Sequence, residues 1–261
     1  MISISSFFLF LRCKFFASFA FVLVSFSAVG KPFNDLEVSF SHGKSFISKN
    51  KISSGKPAEI FKNYRLLLQF PYAVLVSNNS YLELVKKDEI QLRVGQSSVL
   101  EFISPNHLNA MQGAFLLYSK NHENWKISSN EATLSLKGRG TWMFEKTESG
   151  DLKIILLEGE GLASLAEEEK KLSFGELLLL RTSPKNELSH PITLELPLLL
   201  ATSRLINNYE TILYSKPRLV SAAKVQIVRL RKRYQALVGG TNEQSELRMW
   251  AIRKSTEKNN N

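Results

Sequence analysis

A mainly β fold is what this sequence predicts: a two-sheet β-sandwich or solenoid-like β domain, followed by a short helical C-terminal appendage. Three observations predict it. Apolar residues recur with period two through much of residues 36–181, the spacing of a strand with one buried face. Turn signals interrupt them often, at Ser77-Asn78-Asn79-Ser80, Ser104-Pro105-Asn106, Ser149-Gly150-Asp151 and Glu158-Gly159. Beyond Arg181 the apolar period lengthens to three and four, which is helical.

The chain starts with Arg12 and Lys14 ahead of FFASFAFVLVSFSAV, fifteen residues without a charge. A spanning helix needs about 20 apolar residues and a signal core about 7–15. Ala28-Val29-Gly30 supplies small residues for cleavage before Lys31. Residues 1–30 therefore read as a secretory signal peptide, and the extra apolar patch at 7–11 keeps an uncleaved anchor as the alternative. Arg12 directly before Cys13 breaks the small-residue requirement of a lipobox. The expected location is exported, periplasmic or secreted. Cys13 is the single cysteine, so cleavage leaves no thiol for a disulfide framework or a thiolate metal site.

Residues 31–77 read as an N-terminal β extension, in which the polar stretch 41–56 is loop and edge strand. The main β domain spans 78–182. Within it, Ile90, Leu92 and Val94 alternate with Glu89, Gln91 and Arg93, a half-buried strand ending at Gly95. Leu82 and Leu84 alternate in the same way with Tyr81 and Glu83, and Leu134 and Leu136 with Thr133, Ser135 and Lys137. Trp142 and Phe144 follow a Gly138-Arg139-Gly140 corner. Residues 154–157 and 177–180 are apolar on both faces, which predicts two central strands. A weak echo between residues 111–116 and 157–162, each with a glycine before renewed strand, falls short of a repeat.

Taken in order, these corners resemble the FecR domain, the periplasmic all-β module of iron-dicitrate-type signalling regulators. The pattern begins with Gly113 and the strand Ala114-Phe115-Leu116-Leu117-Tyr118, then a short charged linker and a second strand over 125–136. Gly138-Arg139-Gly140-Thr141-Trp142-Met143-Phe144 matches the family's glycine-threonine corner with its aromatic strand. Ile154-Ile155-Leu156-Leu157-Glu158-Gly159 matches a strand ending in leucine-glutamate-glycine, and Leu172-Ser173-Phe174-Gly175-Glu176 matches the closing turn. Upstream, residues 80–102 are similar to the family's first hairpins, with Ser97-Ser98-Val99-Leu100 at its serine position. The resemblance implies a periplasmic β module in which Gly113, Gly138, Gly140, Thr141, Glu158, Gly159 and Gly175 are structural corners. Signalling members carry a cytoplasmic sigma-factor-contacting segment before a membrane span. Only fourteen residues precede the apolar run here, so anti-sigma activity is not expected of this chain.

Residues 183–254 read as the helical C-terminal region. Pro197 suits the first helical position, with 198–206 continuing as a short apolar helix. Pro217 starts a longer helix whose stripe is Leu219, Ala223, Ile227, Leu230, Tyr234 and Leu237, stopped by Gly239-Gly240. Thr241 with Gln244 fits a capping box for a third helix presenting Leu247 and Trp250, and 255–261 reads as a disordered tail.

The formal charge of +10 is uneven: residues 31–215 carry 21 groups of each sign, whereas 216–261 carry 11 basic and 3 acidic residues. Lys224, Arg229, Arg231, Lys232 and Arg233 could form a solvated basic face, or they could meet an anionic membrane or cell-wall polymer. Nucleic acid is the least expected partner, because an exported protein rarely meets it and no reader motif is present.

The sequence carries few residues in patterns that suit catalysis. His42, His107, His122 and His190 are scattered without ligand spacing, so no metal is expected. Gly138-Arg139-Gly140-Thr141 suggests a phosphate cradle, but a strand follows it rather than a helix N-terminus. Glu158 and Glu160 at i and i+2 would share one face of a continuous strand, as a carbohydrate-active enzyme could use, yet the glycines beside them suggest a turn. Residues 167–171 read as a charged hairpin tip. The sequence is thus read as a non-catalytic, cofactor-free binding or scaffolding module with an envelope protein as its partner. An envelope sensor working through a membrane partner is the alternative.

Overall fold

The structure, a computed structural model, describes residues 36–49, 58–60, 65–66 and 70–234. The apolar run 15–29 with Cys13, the third helix expected at Thr241 and the tail 255–261 lie outside the described residues. So do the side chains of Arg231, Lys232 and Arg233.

Period-two patterning gives the expected strands. They are β1 (Leu36–His42), β2 (Ser45–Lys49), β3 (Ala58–Glu59), β4 (Arg65–Leu66), β5 (Tyr72–Val76), β6 (Tyr81–Lys86), β7 (Ile90–Val94), β8 (Ser98–Ser104) and β9 (His107–Gln112). Three long strands follow: β10 (Ala114–Ser129), β11 (Ala132–Lys146) and β12 (Leu152–Leu165). Then come β13 (Glu168–Ser173), β14 (Glu176–Arg181), β15 (Glu187–Leu188) and β16 (Ile192–Thr193). The C-terminal region adds α1 (Leu196–Thr202), α2 (Arg204–Asn207) and α3 (Lys216–Tyr234). The fold is mainly β, as the alternation predicts.

The long strands make the architecture. The first half of β10 pairs with β7, and its second half pairs in parallel with β9. β12 likewise pairs with β14 through its first half and with β13 through its second. β11 runs between β10 and β12 along its whole length. One layer therefore reads β4-β1-β6-β7-β10-β11-β12-β14, the other β3-β2-β5-β8-β9-β10-β11-β12-β13, and three strands belong to both. Side chains from the two layers meet in one core, including Trp125, Trp142, Phe102, Phe115 and Phe144, each 1% exposed or less.

Several sequence expectations change in this frame. The charged linker after Tyr118 is an irregularity inside β10, between Ser119 and Glu123. The glycine corners at 138–140 and 159–161 are bends within continuous strands, so the turn expected beside Glu158 does not form. Glu167 sits with Ala166 in the hairpin turn, whereas residues 168–171 extend β13. The apolar run 177–180 forms β14, flanked only by the two-residue β15 and β16 on its outer side, and Leu177 and Leu179 are half-buried rather than central. The 198–206 helix breaks at Ser203, whose ψ of 120° is extended, giving α1 and α2.

Candidate functional site

Among the described residues, the buried charged side chains Glu83, Arg93 and Glu158 and the buried amide Gln91 all lie on the outer face of the first layer. Strand register assembles one row from seven strands: Phe40, Glu83, Arg93, Leu116, Met143, Ile155 and Leu177 are successive cross-strand partners. A second row runs Val85, Gln91, Tyr118, Thr141 and Glu158. A one-face strand would turn both rows to water. Instead residues 194–229 lie across them, and Leu116, Met143, Ile155 and Leu157 pack with Leu196, Leu205, Leu213, Leu219 and Ala223. All five residues of β7 are buried as a result, which corrects its half-buried reading.

Arg93, fully buried, holds this layer by its backbone. Its Nε donates to Glu83 Oε2 at 2.6 Å, Nη1 to the Leu205 and Ile206 carbonyls at 3.2 and 3.0 Å, and Nη2 to the Thr211 carbonyl at 2.6 Å. The guanidinium also lies 4.5 Å from the Tyr209 ring centre, and Tyr209 donates its hydroxyl proton to the Val94 carbonyl at 2.9 Å. Burial pushes the Tyr209 phenol well above its ordinary range. Glu83 receives Ser39 Oγ at 2.5 Å, Gln91 Nε2 at 2.8 Å and Thr211 Oγ1 at 2.8 Å beside Arg93, so its buried charge is fully met. Gln91 continues the clasp, accepting from Tyr214 N at 2.8 Å and donating to the Ile212 carbonyl at 3.2 Å.

A second polar cluster seats the start of α3. Thr141 Oγ1 lies 2.8 Å from Glu158 Oε1 and 2.6 Å from Ser215 Oγ, with all three residues buried. Arg218 Nη2 reaches Glu158 Oε1 at 3.4 Å while its guanidinium covers the Tyr118 ring at 5.1 Å. Tyr118 in turn meets Tyr214 edge-on.

Farther along α3, Gln226 replaces the expected apolar stripe residue: it is buried, and Ile227 only half so. Gln226 accepts from Leu196 N at 2.8 Å and donates to the Leu194 carbonyl at 2.7 Å. Gly175 makes this possible, since a Cβ there would strike the Gln226 amide. Gln226→Ala should cost about 1–3 kcal/mol in urea denaturation, because the buried Leu196 N–H loses its acceptor.

The sequence-predicted residues scatter across this picture. Gly113 turns β9 into β10 against Ser98, whose Oγ accepts from Ala114 N at 3.1 Å. Gly138, Gly140 and Gly159 form the strand bend; Gly175 sits between β13 and β14; Thr141 and Glu158 join the second cluster. Glu160 points to solvent, 3.8 Å from His122 and 4.0 Å from Arg139, apart from the buried Glu158. Of the basic residues, Lys224 is exposed and Arg229 lies over Phe174 at 4.8 Å.

Elsewhere, His107 Nε2 meets Ser128 Oγ at 2.7 Å, which meets Thr133 Oγ1 at 2.8 Å. Ser128 is 6% exposed, so this ladder across β9, β10 and β11 offers little access to its hydroxyl. Burial, then Lys126, holds the His107 ring below its ordinary pKa. An open polar groove of about 510 Å³ lies where Met111, Asn130 and Lys146 converge. Among the described residues no cluster of three or more His, Cys, Asp or Glu is placed to hold a metal, and no helix is long and apolar enough to cross a membrane.

Sequence reasoning missed Glu83, Gln91, Arg93, Tyr118 and Ser215. One signal could have found the first three. A β6–β7 hairpin centred on Asp88 places Glu83 opposite Arg93 and Val85 opposite Gln91, so the opposed charges follow from the turn position.

No protein-family model matches the chain, and no curated protein matches it. Among solved structures, it is similar to two crystal structures of candidate anti-sigma factors from Parabacteroides distasonis. The first has 12% identity and a TM-score of 0.40, the second 13% and 0.38. These alignments cover 52% and 47% of this chain, and 64% and 59% of the other chains.

Proposed function

We propose that this chain is a non-catalytic, exported binding module of the cell envelope, of the FecR kind its corners resemble, and that it offers the outward face of α3 to a partner protein. One observation carries the reading. Of the nine large apolar side chains exposed among the described residues, six lie on the C-terminal layer: Leu198, Ile212, Tyr214, Val220, Val225 and Val228. On α3, Leu219, Ala223 and Gln226 face the sheet, while Val220, Lys224 and Val228 recur at four-residue steps beside Ser221 and Val225. A helix that keeps an apolar stripe on its solvent side is suited to meeting another surface.

The chemistry of that surface follows from the charge. α3 carries seven basic residues and no acid, so the expected partner face is acidic and apolar. A lipid surface is the weaker reading, since the helix has already turned Leu219 and Ala223 inward and shows valines, with no aromatic anchor, between Val220 and Val228. The Arg93 clasp supports a scaffolding role, because it fixes the layer to the sheet and so presents α3 as a ledge.

The test is site-specific photocrosslinking in intact cells. A crosslinker at Val225 or Val228 should give a discrete protein adduct, reduced about tenfold or more by Lys224→Glu combined with Val220→Asp, which disrupts roughly two hot-spot contacts. The same crosslinker at the exposed Glu131 turn should not. Equal adducts from Glu131, or lipid adducts alone, would overturn the partner face. Recovery of the chain in the cytosol with an intact N-terminus would overturn export. An adduct with a membrane protein would turn the module into the sensor of the alternative reading.

A further inference from the structure

The two polar clusters under the C-terminal layer differ in a way that gives the layer a switch. Four donors converge on the Glu83 carboxylate, and Arg93 beside it is fully buried. Glu158 is also buried, 4% exposed, but Thr141 supplies its one short hydrogen bond. Its cation, Arg218, is half-exposed and stands off at 3.4 Å. Arg139, from the neighbouring strand, is exposed and adds a more distant charge. Glu158 is thus a buried carboxylate with incomplete compensation, set where α3 begins.

We propose that Glu158, Thr141, Ser215 and Arg218 form a pH-sensitive clamp that seats the N-terminal end of α3 more tightly as the surroundings acidify. The hydroxyls give it a mechanism. Thr141 has one hydroxyl proton and stands between two oxygens. With Glu158 ionised, Thr141 donates to the carboxylate and Ser215 donates to Thr141. When Glu158 takes up a proton, it donates to Thr141 and Thr141 donates to Ser215, so the chain runs in reverse between the same three oxygens. The proton removes a poorly solvated charge without breaking the bridge from strand to helix. Arg218 is left with the Tyr118 face and solvent.

The sign follows from linkage. Burial raises the Glu158 pKa, and Thr141, Arg218 and Arg139 offset that only in part. Lifting α3 would hydrate Glu158 and return it toward its ordinary value, so the seated form binds the proton more tightly. Seating therefore strengthens as pH falls through the raised pKa and weakens above it, where the ionised group is buried at a cost. This clamp stands on the sheet–helix contact alone, so it holds or fails independently of the partner face on α3.

The test is amide hydrogen exchange of the full chain at about pH 5 and about pH 7.5, with rates corrected for intrinsic exchange. Protection of the α3 amides over residues 219–229 should rise several-fold on acidification in the wild type. Glu158→Gln, which keeps the donor and removes the charge, should show the high protection at both values. Glu160→Gln, a solvent-facing change on the same strand, should keep the wild-type response, and protection in β10 and β11 confirms that each variant is folded. A flat wild-type response, or a pH response that survives in Glu158→Gln, would overturn the clamp.

Discussion

Arg93→Met is expected to cost about 3–5 kcal/mol of folding free energy, a large share of the roughly 5–15 kcal/mol that holds a typical domain together. The change keeps most of the side-chain volume, so the loss is electrostatic. Glu83, 1% exposed, would be left among Ser39, Gln91 and Thr211 with no cation beside it. The Leu205, Ile206 and Thr211 carbonyls would lose their donor at the same time. The double variant Glu83→Gln with Arg93→Met separates the two effects. Removing the orphaned charge should restore part of the stability, while the carbonyl deficit of about 1–3 kcal/mol remains. Urea denaturation of all three proteins reads both. A single variant within about 1 kcal/mol of wild type would mean that the layer is held by its leucines and that the buried arginine is incidental.

The contrast between the two faces of β7 shows what the sequence could and could not disclose. Ile90, Leu92 and Val94 were legible as core because alternation is a local property of the chain. Gln91 and Arg93 looked solvent-facing for the same reason, since nothing within β7 reveals that residues more than a hundred positions later will cover them. Alternation counts polar residues as exposed, and a polar residue whose partners are distant backbone carbonyls breaks that rule. The same blindness hid Gln226, a polar residue in a helical stripe whose value lies in two backbone groups near α1. Gly138, Gly140 and Gly159 were legible as places where the chain changes direction. That the change is a bend in a continuing strand depends on the register between β11 and β12, which single residues do not encode. For the candidate surface, the basic character of α3 was plain from composition, but its outward valines became distinct only when packing showed which stripe was inward.

Gly140→Val should be nearly as damaging as loss of Arg93, and for a reason confined to the backbone. Gly140 has φ of 125°, Gly138 of 148° and Gly159 of 99°, all in the region that side chains rarely tolerate. Across β11 and β12, Gly140 pairs with Gly159 and Gly138 with Gly161. A Cβ on Gly140 would meet the Glu158 carbonyl and Gly159 Cα, one on Gly159 would meet the Arg139 carbonyl, and one on Gly138 would meet the Glu160 carbonyl. None of these neighbours can rotate away, because each is main chain in the same ladder. Strain of about 1–3 kcal/mol at the dihedral adds to that collision, so a total of about 3 kcal/mol or more is expected. The damage should also spread outward. Thr141 follows Gly140 and Glu158 precedes Gly159, so opening the bend separates the pair that seats Ser215 and Arg218. Hydrogen exchange should then show α3 losing protection before β8 and β9, and urea denaturation should show the lowered midpoint. Arg139→Thr, between the same glycines but with its side chain in solvent, should change stability by no more than about 0.5 kcal/mol. If Gly140→Val instead denatured at the wild-type midpoint, the bend would be set by the twist of the long strands, and the glycines would be passengers in it.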